Sequence, residues 1–429
     1  LIPNVEEQYH IHVEQGILDA MKYYESADRI IGKSIDMNAK KAANLGVFLN
    51  LDDYCHVADF YDALHEATAE AIVYFAGLLK ARYKGKVVGA FYGSYGCTDF
   101  YNSTTTTSTM TILDSGKVDF LAAPGVYNNR EPGGCVAQRE MQDSFRLRGQ
   151  MFVAEEDSRT HLEDSFYRDA MGLYDVRDSI VTLKRDFARI LCEDIYAWWF
   201  DQHEKGGRYQ HDEIYRLFAR QKEIAEFAYS LDRQKNNEIA LIYDQESCHT
   251  VSAYTNTLML DYYRTSDLHR IGAPVDYYFH NDLGREDMPG YKLYIMMNLF
   301  RLSDEERKTI LDRAKRDHAV VLWLYAPGFL NPDRERVMDN ANMEDLIGMR
   351  VGRIDHTCSP RFRLTDLSHP AVRYGVQDRR YGYIDRDVHS NVWLENVLAP
   401  AYMNPGFYID DESVQVLGTY CEMGLPAYA

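Results

Sequence analysis

The sequence predicts an α/β protein with parallel sheets, because short apolar runs alternate with amphipathic helical segments along most of its 429 residues. Two sets of such units are separated by the polar stretch 232–237, which is typical of a linker. The chain is about twice the usual length of one domain, so two hydrophobic cores are expected. We therefore expect one domain over residues 1–231 and a second over residues 236–429.

The first set of units begins with an amphipathic helix over residues 57–84, where apolar side chains recur at three- and four-residue steps. Basic residues and Gly85 end this segment, a pattern typical of a helix C-terminus. The apolar run 86–93 follows at once and predicts a buried strand. Three further strands are predicted, at residues 118–124, 150–154 and 194–200.

Polar or glycine-rich residues follow each of these four strands. Polar groups gathered at the carboxyl ends of parallel strands are typical of a (β/α)₈ barrel, or TIM barrel, which builds its active site there. Four units are found between residues 57 and 228, whereas the barrel needs eight. We therefore expect the C-terminal half of such a barrel, with its N-terminal part encoded upstream of this chain.

The second set of units predicts an open, doubly wound parallel sheet. Its predicted strands are residues 238–243, 274–279, 292–297 and 319–325. A capping-box pattern at Ser303 and Glu306 predicts the start of the helix that precedes the last of these strands.

The composition is that of a folded protein and limits its partners. Hydrophobic residues make up 46% and charged residues 26% of the chain, which excludes a disordered or fibrous protein. The formal net charge is −19, which repels phosphate backbones and anionic membranes, so nucleic acid is not an expected partner. No apolar run approaches the roughly 20 residues of a membrane span. We expect a soluble protein of the cytoplasm or the periplasm, and the sequence does not decide between them.

Cofactor and metal motifs are not evident in the sequence. The seven Cys are dispersed without a CxxC pair, and the 14 His show ligand spacing only at His10 and His12, so no metal site is expected. Dinucleotide and P-loop signatures do not occur, and no cofactor is predicted. Aromatic residues reach 13%, with 33 Tyr. Such rings suit the faces of sugars, but they fill cores and subunit contacts equally well.

Glu155 is the candidate catalytic residue. It lies at the predicted end of a barrel strand, with Asp157 two residues and Arg159 four residues further on. Such neighbours can hold a carboxylate ionised and oriented, as a nucleophile requires. The alternative is a solvated acidic strand end that leads into a helix.

Trp198 and Trp199 follow one another at the end of the next strand. Because adjacent strand residues point to opposite faces, one ring is expected to face the barrel interior and the other the helices. An interior ring could stack on a sugar, although both rings could also be core residues.

Three further residues are candidates for recognising sugar hydroxyl groups. Asn128 and Arg130 lie in the turn-forming loop 127–134, and Tyr92 lies in the segment 91–96.

Four segments together resemble β-galactosidase-like glycoside hydrolases related to family 42. The resemblance covers residues 50–429 and continues into a module similar to their trimerisation domain, which has a class I glutamine-amidotransferase-like fold. The segments are VVGAFYGSYG (87–96), VDFLAAPGVYNNREPGG (118–134), QMFVAEEDSRTHL (150–162) and AWWFDQHEKGGRY (197–209).

This resemblance implies roles for individual residues. The four strands would be the fifth to the eighth of the barrel, so that Glu155 matches the nucleophile, and Trp198 or Trp199 matches the aromatic residue after the last strand. No segment before residue 87 matches the acid/base motif, which we expect upstream of Leu1. The resemblance also implies a homotrimer.

The second module departs from a working amidotransferase. Where such enzymes carry a nucleophilic Cys, this chain has Ala326 within the segment 323–329. Amide chemistry is therefore not expected.

The sequence thus predicts a retaining exo-glycosidase, β-galactosidase-like, that hydrolyses terminal bonds of oligosaccharides. The alternative is a non-catalytic carbohydrate-binding or assembly protein on a degenerate barrel. The sequence does not identify the sugar or the linkage.

Overall fold

The computed structural model describes residues 44–93, 105–127, 130–201, 207–251, 267–382 and 403–429. The described chain opens with an antiparallel hairpin of β1 (Asn44–Leu45) and β2 (Phe48–Leu49), followed by helix α1 (Leu51–Arg82). This helix begins earlier than predicted because Asn50 caps it, accepting a hydrogen bond from the backbone N–H of Asp53. It ends beside the basic residues that the sequence predicted.

A four-stranded sheet with the order β3-β4-β5-β6 organises the first half of the molecule. All three neighbouring pairs are parallel, which confirms the predicted parallel α/β arrangement. The strands are β3 (Gly89–Phe91), β4 (Phe120–Pro124), β5 (Met151–Glu156) and β6 (Tyr196–Trp199). The helices between and after them are α2 (Thr109–Asp114), α3 (Gln142–Arg146), α4 (Ser165–Met171), α5 (Val176–Glu193) and α6 (Asp212–Tyr229).

The two faces of this sheet differ in burial. On one face Leu121, Phe152 and Ala154 are fully buried, and the ring of Phe152 meets Phe145 of α3 at 5.6 Å. The other face is more open: the side chain of Phe91 on it is 63% exposed. Because side chains alternate along a strand, each strand contributes to both faces. One face is thus the core beneath the helices, and the other is accessible.

A second parallel sheet has the order β10-β9-β7-β8. From β7 the chain moves one way to β8 and the other way to β9 and β10, so this sheet is open and wound in two directions, as the sequence predicts. Its strands are β7 (Ile239–Tyr243), β8 (Val275–Phe279), β9 (Leu293–Met296) and β10 (Val320–Trp323). Helix α7 (Asp304–Asp317) precedes β10 and begins with the predicted capping box of Ser303 and Glu306.

The chain beyond β10 forms antiparallel strand pairs. These pairs lie within the range 236–429, for which the sequence predicts only a doubly wound parallel sheet. After helix α8 (Asn340–Ile347), β11 pairs with β14, and four strands form a sheet in the order β13-β12-β15-β16. These strands have two to four residues, too few to show a periodic pattern in the sequence. They are β11 (Val351–Ile354), β12 (Phe362–Leu364), β13 (Arg380–Tyr381), β14 (Gly406–Ile409), β15 (Gly418–Tyr420) and β16 (Pro426–Tyr428).

Helix α3 joins the two parallel sheets by covering the free edge of β8. Asp143 accepts a hydrogen bond from the backbone N–H of Tyr277 at 2.7 Å, and Ser144 Oγ accepts one from Phe279 at 2.9 Å. Both N–H groups would otherwise be open at the sheet edge. Burial raises the pKa of Asp143 to about 6, although the ion pair with Lys235 opposes the shift. The two halves therefore share a polar seam as well as a core.

A doubly ion-paired histidine ties the ends of three elements of the second sheet together. His280 follows β8, is buried, and lies 2.9 Å from Asp244 after β7 and 2.9 Å from Glu306 at the start of α7. Burial lowers the pKa of His280, but the charges of both carboxylates outweigh it and hold the pKa well above its usual range. Burial likewise raises the pKa of Glu306, but hydrogen bonds from His280 and Ser303 bring it to about 2.

We predict that the Glu306→Gln variant loses less stability in acid than the wild type. The pKa of Glu306 is about 2 in the folded chain and 4.5 in the unfolded chain, so only the unfolded chain takes up the proton between these values. The free energy of unfolding of the wild type thus decreases as the pH drops from 4.5 towards 2. In the variant this decrease should be smaller by about 3 kcal/mol. Urea denaturation at pH 5, 4 and 3 measures the difference, of which about 2 kcal/mol should develop in this range, because pH 3 still lies above the folded pKa of about 2.

The matched control for this experiment is Glu305→Gln, since Glu305 is exposed in the same first turn of α7. The control should keep the wild-type dependence on pH. An equal acid dependence in the Glu306→Gln variant would contradict the assignment.

Candidate active site at the end of β5

Glu155 lies on the open face of the first sheet. In register it stands between Pro124 of β4 and Trp198 of β6. Its side chain is half-buried and forms no hydrogen bond or ion pair with the described residues. Burial, followed by the charge of Asp157, raises its pKa, while Arg130 opposes the shift. The carboxyl group is thus partly desolvated and has no partner in the described protein.

Glu156, the next residue, occupies the opposite face. It is 2% exposed, and its carboxylate lies 2.5 Å from the guanidinium of Arg189 in α5. Burial raises its pKa to about 7, although Arg189 opposes the shift. Glu156 is therefore part of the buried interface between β5 and α5.

Asp157 and Arg130 form a buried ion pair beyond the strand ends, with 2.5 Å between Arg130 Nη1 and Asp157 Oδ1. Arg130 also donates to the backbone carbonyls of Val126 and Gly125, and its guanidinium lies 4.4 Å from the ring centroid of Tyr127. Burial raises the pKa of Asp157, but the charge and hydrogen bond of Arg130 outweigh it and lower the pKa. The pair fixes the loop after β4 to the end of β5.

The two tryptophans point to opposite faces of β6. Trp199 stacks on Phe218 of α6 at 4.7 Å between ring centroids, and meets Tyr209 at 6.1 Å. Trp198 is in register with Glu155 and meets Phe91 of β3 edge-on at 5.7 Å. Trp198 is thus the ring beside the carboxyl group of Glu155, and Trp199 belongs to the helix-facing core.

The structure describes two of the three remaining predicted site residues. Tyr92 is buried in the core, where its hydroxyl accepts a hydrogen bond from the backbone of Ser108 at 2.9 Å. Arg159 stacks on the ring of Tyr167. Asn128 lies outside the described residues.

Phe91 lies beside Glu155, although the sequence pattern pointed to its neighbour Tyr92. The alternation along β3 places Phe91 on the face that carries Glu155. The sequence does not show which of the two residues faces Glu155, because that depends on the register between the strands.

The described residues show neither a metal-binding cluster nor a membrane-spanning helix. In the described ranges no cluster of three or more His, Cys, Asp or Glu side chains could hold a metal ion. Among the helices that the structure describes, none combines the length and the apolarity that crossing a bilayer requires.

Solved structures with a similar fold are β-galactosidases. The chain matches the enzyme from the psychrophilic Marinomonas ef1 with a TM-score of 0.51 and 10% identity over 96% of this chain and 60% of that one. The match to the enzyme from the haloarchaeon Halorubrum lacusprofundi has a TM-score of 0.54 and 13% identity, and it covers 87% of this chain and 53% of that one. The match to Gan42B, a GH42 β-galactosidase from G. stearothermophilus, has a TM-score of 0.52 and 13% identity, and it covers 98% of this chain and 60% of that one.

The chain therefore has the α/β fold of the GH42 β-galactosidases, which confirms the resemblance expected from the sequence at the level of fold. The chain spans 53% to 60% of the length of these three structures. No protein-family model and no curated protein sequence matches it.

Because the two glutamates lie on opposite faces of β5, their substitution should affect stability to different extents. At pH 8, Glu156→Gln should lower the free energy of unfolding by about 2–4 kcal/mol, because the buried Arg189 loses a charged partner. Glu155→Gln should change it by less than about 0.5 kcal/mol, because no described group pairs with Glu155. Urea denaturation of both variants measures the difference, and equal losses would show that the assignment of faces is wrong.

The tryptophans give a second matched pair. Trp199→Ala should cost about 3–5 kcal/mol of stability, because it removes a ring stacked in the core. Trp198→Ala should cost less than about 2 kcal/mol, because among the described rings Trp198 meets only Phe91, edge-on, whereas Trp199 packs on both Phe218 and Tyr209. Guanidinium denaturation measures both, with Trp199→Phe as the variant that keeps an aromatic contact with Phe218. A larger loss for Trp198→Ala than for Trp199→Ala would contradict the structure.

Proposed function

We propose that this chain forms part of a retaining exo-glycosidase, β-galactosidase-like, that hydrolyses terminal glycosidic bonds of oligosaccharides. The observation that carries the proposal is the position of Glu155: a half-buried carboxyl group without a described partner, beside Trp198, at the carboxyl end of a parallel strand. In (β/α)₈ barrels the catalytic groups come from this end of the strands. The fold shared with β-galactosidases supports a glycosidase.

In the proposed reaction, Glu155 acts as the nucleophile. A carboxylate oxygen forms a bond to the anomeric carbon while the bond from that carbon to the leaving oxygen breaks. A second carboxyl group, which the described residues do not identify, gives its proton to the leaving oxygen. Water then attacks the glycosyl-enzyme, the second group takes the proton of the water, and Glu155 is released. Retention requires the two carboxyl groups to lie roughly 5–5.5 Å apart.

The surroundings of Glu155 support this role. Partial burial removes water from the carboxylate, and a nucleophile must shed that water before it attacks. The nearby Arg130 counters the rise in the pKa of Glu155 and so favours the ionised form. Glu156 cannot take the role, because Arg189 holds it on the helix side of the sheet.

Trp198 and Phe91 form the proposed floor of the sugar site. Their rings meet edge-on beside Glu155, on the face of the sheet that the described helices leave open. An apolar ring face matches the C–H groups on one face of a pyranose. Trp199 and Tyr92 are left out of this proposal, because both lie in the core.

The second domain is proposed to serve assembly. The family resemblance implies a trimerisation domain with an amidotransferase-like fold over residues 236–429. Tyr325 adopts a left-handed conformation (φ 64°) after β10, and its hydroxyl donates to the carbonyl of Pro405 at 2.6 Å. The tight turn that carries a catalytic Cys in amidotransferases thus supports aromatic packing here, and Ala326 beside it is fully buried.

The nucleophile can be identified by covalent trapping. The protein, expressed at the full length of its gene, is incubated with activated 2-deoxy-2-fluoro glycosides of galactose, mannose and arabinose, which accumulate a glycosyl-enzyme. We expect one label on the tryptic peptide 149–159, and fragmentation should place it on Glu155 rather than on Glu156 or Asp157. Mass spectrometry then reports the nucleophile and the preferred sugar together.

The control for trapping is Glu156→Gln, which should still be labelled, whereas Glu155→Gln should not. A label on another peptide, or on Glu156, rejects the assignment. A protein that binds the sugars but takes up no label and releases no product is instead the alternative, a non-catalytic carbohydrate-binding protein.

A further inference from the structure

Arg159 is a buried cation without an anionic partner. It lies in the loop after β5, four residues beyond Glu155, and is only 9% exposed. Its one interaction is a stack on Tyr167 of α4, with 3.5 Å between the guanidinium carbon and the ring centroid. It forms no hydrogen bond or ion pair in the described chain, and its nitrogens are not among the fully buried atoms, so they reach the surface.

Three other buried arginines around this loop are compensated. Arg130 pairs with Asp157 at 2.5 Å, Arg189 with Glu156 at 2.5 Å, and Arg208 with Glu163 at 2.7 Å. Removing a guanidinium from water is unfavourable by several kcal/mol unless an anion replaces the lost hydration. Arg159 differs from its neighbours in having only an aromatic face to offset this cost.

The stack leaves the recognition surface of Arg159 free. An aromatic ring contacts the flat face of a guanidinium, while the N–H groups lie around its edge. That edge matches the two oxygens of a carboxylate, or two oxygens of a sulfate, with paired hydrogen bonds. Phe166, whose ring is 60% exposed and 5.4 Å from that of Tyr167, adds an apolar surface next to the cation.

We propose that Arg159 binds an anionic group of the saccharide, either the carboxylate of a uronic acid or a sulfate ester. This inference rests on the proposed glycosidase function and narrows its substrate to an acidic saccharide. The loop leaves β5 at the end where barrel enzymes bind substrate. The chain as a whole carries a net charge of −19, which disfavours anions at long range, so an acidic ligand needs a local cation.

Calorimetric titration with matched ligands tests the proposal. The protein at the full length of its gene is titrated with the neutral methyl β-D-galactopyranoside, its uronate and its 6-sulfate, and with the corresponding gluco ligands. At least one acidic ligand should bind at least about tenfold more tightly than its neutral counterpart, because hydrogen bonds to charged groups are strong. The uronate and the sulfate arms separate the two sources of the anion.

Two substitutions localise the preference. Arg159→Gln should abolish the preference for acidic over neutral ligands, whereas Arg159→Lys should keep only part of it, because Lys lacks the planar fork. Arg177→Gln is the matched control, since Arg177 is exposed and should have no effect. If a variant does not fold, the wild-type comparison of acidic with neutral ligands still tests the proposal.

The proposal is overturned if no acidic ligand binds more tightly than its neutral counterpart, or if a folded Arg159→Gln variant keeps the preference. Failure of the proposed function is a separate result. A preference for acidic ligands without a label on Glu155 rejects the nucleophile and supports the anion site. A label on Glu155 without such a preference rejects the anion site and supports the nucleophile.

Discussion

The alternation of side chains along β5 is the constraint on which the candidate site depends. In a strand, neighbouring side chains point to opposite faces, so Glu155 and Glu156 cannot share an environment. One is open and beside Trp198, and the other is buried against Arg189. The same rule, carried across the sheet by its register, puts Phe91 with Glu155 and Trp199 with the helices. A shift of one residue in this register would exchange the two sets.

Charge compensation sharpens the distinction between structural and functional groups. Asp157, Glu156 and Glu163 each neutralise a buried arginine, and these pairs hold the loops at the carboxyl ends of β4, β5 and β6. Glu155 and Arg159 have no such partner in the described chain. Desolvation without compensation is unfavourable for the free protein. In the proposed complex, the anionic group of a bound sugar would compensate Arg159.

The sequence predicted most of the parallel elements, and its failures have identifiable causes. Seven of the eight strands in the two parallel sheets fall within the predicted apolar runs, and β5 extends two residues beyond its run, to Glu156, because its parallel pairing with the neighbouring strands continues there. The short antiparallel strands after β10 carry too few residues for such a pattern. The seam between α3 and β8 was also beyond prediction, since Asp143 and Ser144 pair with backbone groups more than 130 residues away.

The sequence by itself determined the α/β class, the carboxylate at the end of β5 and the presence of two rings at the end of β6, since these depend on local order along the chain. The tertiary structure decided which ring stands beside Glu155, that Tyr92 belongs to the core, and that Arg159 has no anionic partner among the residues that the structure describes. Those outcomes depend on the register between strands and on partners from distant segments. Local sequence does not encode either, because both arise when the sheet assembles and the helices pack on it.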